Sequence, residues 1–168
     1  GELALVDETR EEVAQVSIKD EELVEEQVVF RSQASENAAF MGLSWSPTGR
    51  RLAFSIRLFR GGEDTSYLYA VDADGSNLEL LLQRSGNLRD PEWLPGEQWI
   101  LFTLGDEDAL AFLELSTSCI FSTDISGVYT LDLSPDGKLV AFEQFGQVYL
   151  LDLETLLGPN FEQLQCKR

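Results

Sequence analysis

The segment Asp72-Ala73-Asp74-Gly75-Ser76-Asn77 carries side-chain oxygens at alternating positions, a pattern that can wrap a calcium ion. An EF-hand places glycine sixth and a bidentate Glu twelfth. Here Gly75 is fourth and the twelfth residue is Gln83, so turn chemistry accounts for the same residues. Asp106-Glu107-Asp108 is a second acidic cluster, expected at a hairpin tip. Asp72, Asp74, Asp106 and Asp108 are thus the candidates for weak cation binding, set against a reading as solvated turn residues. Trp45, Trp93 and Trp99 have the flat faces a sugar could stack on. Trp45 and Trp93 each stand two residues before a proline and are expected to pack. Trp99 lies off that pattern and is the one expected at the surface.

Catalytic chemistry finds no residues to build on. The chain has no histidine, so it lacks the commonest general base and the commonest metal ligand. Ser116-Thr117-Ser118 has no base partner, and no Gly-x-Ser-x-Gly elbow occurs. No catalytic residue, no cofactor and no metal centre are expected. Cys119 and Cys166 are candidates for one disulfide in an exported protein, closing a loop of roughly 48 residues, or for two buried thiols.

Thirty acidic residues against twelve basic ones give a net charge of −18, which repels phosphate backbones and argues against nucleic acid as a partner. The acidity reads as a solvated surface or as a face for a basic partner. Glu21, Glu22, Glu25 and Glu26, with Trp99, are the candidate interaction surface. Arg57, Arg60, Arg84 and Arg89 could line one face and hold an anion. No apolar run reaches the length of a membrane span, and the first residues are too acidic for a signal peptide's charged start.

The elements that must position these residues come from a repeat. Trp45-Ser46-Pro47-Thr48-Gly49 with Phe54, Trp93-Leu94-Pro95-Gly96 with Phe102, and Leu133-Ser134-Pro135-Asp136-Gly137 with Phe142 all keep proline seven residues before phenylalanine. The prolines are 48 and then 40 residues apart, a period that marks a β-propeller or a related array. Pro presets an early turn position and Gly supplies the left-handed one, so each copy predicts a hairpin. In the middle copy the glycine moves forward to Gly96, which predicts a differently built turn. Strands ending on aspartate follow at Tyr67 to Asp72 and Val148 to Asp152, and Leu78 to Leu82 completes a four-stranded blade.

The expected fold is all-β, a β-propeller of four-stranded antiparallel blades, with about three complete blades and a partial amino-terminal one. Blades are placed at about 41–84, 89–123 and 126–165. Residues 1–40 hold the partial blade and an acidic connecting segment, with strands at Leu3 to Asp7, Val13 to Ser17 and Gln27 to Arg31, and are expected to form one domain with the three blades of 41–168. Residues 19–27 are too acidic for a central strand and are expected as a short helix or an exposed connection. Such a set falls short of the usual ring, so the missing strands are expected from another protein, the remainder of a longer chain, or a compact closure through residues 1–40. A homo-oligomer through open blade edges is a further route.

The wording Trp45-Ser46-Pro47-Thr48-Gly49-Arg50-Arg51-Leu52-Ala53-Phe54, then Val71-Asp72-Ala73-Asp74-Gly75, and later Leu133-Ser134-Pro135-Asp136-Gly137-Lys138-Leu139-Val140-Ala141-Phe142 resembles the TolB-type, WD40-like (PD40) propeller repeat of bacterial periplasmic and secreted proteins. The resemblance covers about residues 41–155. It implies a propeller, a periplasmic, cell-envelope or secreted location, and a non-catalytic platform that binds other proteins. Families sharing the repeat also include accessory propellers of peptidases whose catalytic domain lies elsewhere, and a cation- or small-ligand-binding propeller is a third expectation.

Overall fold

The computed structural model describes residues 2–7, 12–19, 22–31, 38–60, 62–158 and 166. The strands fall into four antiparallel sheets in chain order. The first holds β1 (Glu2–Asp7), β2 (Glu12–Lys19) and β3 (Glu22–Arg31). The second holds β4 (Ala38–Trp45), β5 (Arg51–Arg60), β6 (Glu63–Asp72) and β7 (Glu79–Ser85). The third holds β8 (Leu88–Trp93), β9 (Trp99–Leu104), β10 (Ala109–Glu114) and β11 (Cys119–Ser122). The fourth holds β12 (Val128–Leu133), β13 (Leu139–Gln144) and β14 (Gln147–Asp152), followed by the short helix α1 (Leu153–Leu156). Each sheet is a meander, and among the described residues the sheets do not close into a ring.

The repeat phenylalanine explains how the sheets stack. Side chains alternate across a strand, so neighbours in sequence face opposite ways. Phe54 packs with Val29 of the first sheet, Phe102 with Leu68 and Ala70 of the second, and Phe142 with Leu101 and Phe112 of the third. The preceding residue faces the next sheet: Ala53 joins the seam with the third sheet, and Leu101 the seam with the fourth. Strands such as Leu52 to Ile56 are therefore apolar on both faces because both faces are covered. Each fully buried Leu or Phe contributes roughly 1.5–3 kcal/mol.

The motif turns close as their residues dictate. Gly49 N–H donates to Ser46 O at 2.8 Å and Gly137 N–H to Ser134 O at 2.7 Å, with φ of 68° at both glycines. The altered middle copy closes in the same place, Glu97 N–H donating to Leu94 O at 3.1 Å. It does so with two left-handed residues, Gly96 at φ 86° and Glu97 at φ 55°. The expected difference is therefore conformational and does not alter the turn's hydrogen-bond pattern.

One expectation is corrected. Residues 22–27, expected in a helix or a connection, lie in β3, where Glu22 pairs with Lys19, Glu25 with Ser17 and Glu26 with Val16. The strand sits at the edge of its sheet, where charges are tolerated and discourage pairing with foreign strands. Cys119 and Cys166 are joined in a disulfide, their Cα atoms 5.2 Å apart, which ties Cys166 to the first residue of β11. Residues 159–165 of the last expected blade lie outside the described residues. Among the described residues no helix is long and apolar enough to cross a membrane.

Candidate functional site

The first strands of the second, third and fourth sheets run side by side, β8 touching both β4 and β12. Each has a register shift: between Phe40 and Leu43, Arg89 and Glu92, and Val128 and Thr130. Bulges at these points kink the strands. Gly42 makes the close approach possible, since a Cβ there would stand 3.0 Å from the Asp90 backbone.

The turns that follow these strands gather at one end. Thr48 N–H donates to Glu97 Oε1 at 2.9 Å, linking the first motif turn to the second. Pro95 packs so tightly on Gly137 that a Cβ there would lie 2.3 Å from Pro95 Cγ, which links the second to the third. Pro47, Pro95, Pro135, Trp45, Trp93 and Glu92 line a depression of about 270 Å³. A contiguous cleft of about 490 Å³ shares Pro95, Asp136 and Gly137 and adds Trp99, Lys138 and Glu154. Leu94, Leu153 and Leu157 supply its apolar wall.

The charges here differ by environment. Burial pushes Glu92 up to about 7, with Asp132 and Asp90 adding repulsion against the Ser44 hydroxyl's stabilising hydrogen bond. Burial raises Asp90 to about 6, offset by Arg89 and a hydrogen bond with Thr130. Asp136 is held below the usual carboxylate range by the Ser134 hydroxyl and the Lys138 amide, and stays ionised. Asp136 and Glu154 thus offer negative charge beside an aromatic and aliphatic wall.

The residues singled out in the sequence are spread more widely. Trp99 is half-buried, its ring 5.5 Å from Phe121, and it keeps a face on the cleft. Trp93 is buried in the seam between the second and third sheets, and Trp45 packs on the seam with the first. Asp74 accepts from the Ser76 amide at 2.9 Å and its hydroxyl at 2.6 Å, while Asp72 accepts from Asn77 Nδ2 at 2.7 Å. Asp106 and Asp108 lie in the β9–β10 turn, at the other end of the strands, so the two acidic pairs do not converge. Among the described residues no group of three or more potential metal ligands forms.

Two of the four arginines are taken up by neighbouring acids. Arg57 is paired with Asp64, and Arg89 lies 2.8 Å from Asp108 Oδ2 with its guanidinium over Tyr129. Glu22, Glu25 and Glu26 lie in β3, and Glu21 is outside the described residues. Sequence reasoning missed Asp90 and Glu92. Their signal was the repeat itself: Gly42, Asp90 and Thr130 are equivalent, as are Ser44, Glu92 and Asp132, so acids stand where another copy has a small residue.

No family model matches the chain, and no curated protein matches it. Solved structures do. A TolB from Acinetobacter baumannii overlays with a TM-score of 0.64 at 20% identity, covering 90% of this chain and 38% of that one. An oligogalacturonate lyase in complex with manganese gives 0.67 at 18% identity, covering 92% and 48%. The chain has a β-propeller fold. The tricorn protease also overlays, at a TM-score of 0.51 and 12% identity, over 95% of this chain and 24% of that one. The chain spans less than half the length of each of these three structures.

Proposed function

We propose that this chain is a non-catalytic, TolB-like propeller segment that acts as a protein-interaction platform in the cell envelope or extracellular space, and that the joined motif turns are its binding surface. The observation that carries this is the continuous cleft from Pro47 to Trp99, built on three turns locked to one another. A rigid scaffold with a concave, aromatic-walled mouth suits recognition of a protruding segment. Asp136 and Glu154 beside Trp99 and Leu153 favour a segment that pairs a basic residue with an apolar one. The disulfide and the TolB overlay support an oxidising, extracytoplasmic compartment.

Titration with two synthetic peptides tests the reading, one alternating lysine with leucine and one alternating glutamate with leucine. The lysine peptide is expected to bind, and Trp99→Ala is expected to weaken it at least about tenfold, or 1.4 kcal/mol. Glu107→Lys, remote from the cleft, controls for the general attraction of a highly acidic protein. Equal losses in both variants would overturn the assignment of the surface.

A further inference from the structure

The outer face of the fourth sheet breaks a rule the second and third obey. In β6, Leu68 and Ala70 pair with Ser55 and Ala53. In β10, Leu110 and Phe112 pair with Thr103 and Leu101. In β14, Val148 and Leu150 pair with Glu143 and Ala141, the same register in the next copy. Leu68, Ala70, Leu110 and Phe112 are all 0% exposed, whereas Val148 is 76% and Leu150 70% exposed.

What covers the buried pairs is the same in both seams. Phe102 and its sheet close over Leu68 and Ala70, and Phe142 and its sheet over Leu110 and Phe112. The run Val148-Tyr149-Leu150-Leu151 is apolar on both faces, as suits a strand covered on both sides. Among the described residues, the Tyr149 and Leu151 face alone is occupied: Tyr149 stacks on Phe142, and Leu151 packs into the seam with the third sheet.

We propose that the Val148–Leu150 face is the seat of a further blade carried by the same polypeptide, its repeat phenylalanine lying over this pair. A second copy is a poorer occupant. Glu143 and Asp152 stand on the same face, so two such faces would bring like charges together on chains that each carry −18. The overlaid propellers also extend well beyond the matched portion within one chain. This inference concerns a different surface from the motif-turn cleft and stands independently of it.

Hydroxyl-radical footprinting read by mass spectrometry tests it, comparing the native polypeptide purified from its source with the 168-residue chain. Val148 and Leu150 should oxidise readily in the 168-residue chain. In the native polypeptide they should oxidise at least about tenfold more slowly at every concentration. Equal rates would overturn the proposal, and so would protection that fades on dilution or that requires a second protein. Leu150→Asp gives a second readout: it should lower the melting temperature of the native polypeptide and leave that of the 168-residue chain unchanged. An equal fall in both would also overturn it.

Discussion

Glu97 Oε1 accepts the Thr48 amide at 2.9 Å, so the residue that departs from the repeat in the middle turn holds the neighbouring turn in place. Glu97 sits at φ 55°, a conformation that costs a non-glycine residue roughly 1–2 kcal/mol. The departure from the glycine pattern exchanges backbone ease for a contact between sheets. Glu97→Ala should lose the contact and keep the strain, lowering stability by about 1 kcal/mol in urea denaturation. Glu97→Gly should be close to neutral, because relief of the strain offsets the lost bond. Equal destabilisation by the two variants would contradict this account.

Gly49 and Gly137 share a φ of 68° but not their surroundings. Nothing lies within 4 Å of a Cβ at Gly49, while at Gly137 it would meet Pro95 at 2.3 Å. Gly49→Ala should therefore cost only the conformational term of about 1 kcal/mol. Gly137→Ala should cost about 2–3 kcal/mol and loosen the cleft. Denaturation midpoints measured side by side decide it.

Glu92 ionises reluctantly in the fold, near 7, and ordinarily in the unfolded chain, near 4.5. A raised folded value means the folded state holds more protons between these limits. Its contribution is fully present below pH 4.5 and is lost as pH rises through 7. Stability should fall across that window by about 2–3 kcal/mol from this group. Glu92→Gln should flatten the decline. Asp136 and Asp74 have lowered values and work in the opposite sense, adding stability that is lost as pH falls below the ordinary carboxylate range.

The Cys119–Cys166 bond closes 47 residues of sequence. Constraint of the unfolded chain predicts that Cys166→Ser costs about 2–4 kcal/mol. Reduction of the native protein should produce a similar fall in melting temperature, and no change on reduction would contradict it.

Much of the fold was legible because Pro-Gly turns and repeat phenylalanines act locally. The spacing of Pro47, Pro95 and Pro135 located three hairpins, and Phe54, Phe102 and Phe142 all proved to be seam residues. Residues 22–27 misled because their charge speaks against a central strand, whereas β3 lies at an edge. Glu92 was missed for a different reason, since its signal lay in the comparison of repeat copies and not in its own neighbourhood. Its burial is made by strands β4 and β12, brought to β8 from 48 and 40 residues away in the repeat, and composition near position 92 carries no trace of them. Trp99, off the repeat, lines the cleft, with Phe121 of β11 packed against its ring.

The most direct measurement of the central claim is amide chemical-shift mapping of the 168-residue chain during titration with the lysine-leucine peptide. Shifts concentrated at residues 46–50, 94–99 and 134–138 are predicted, since these turns form one surface. Shifts confined to the acidic turns at 72–77 and 106–108, with the three motif turns unmoved, would contradict it.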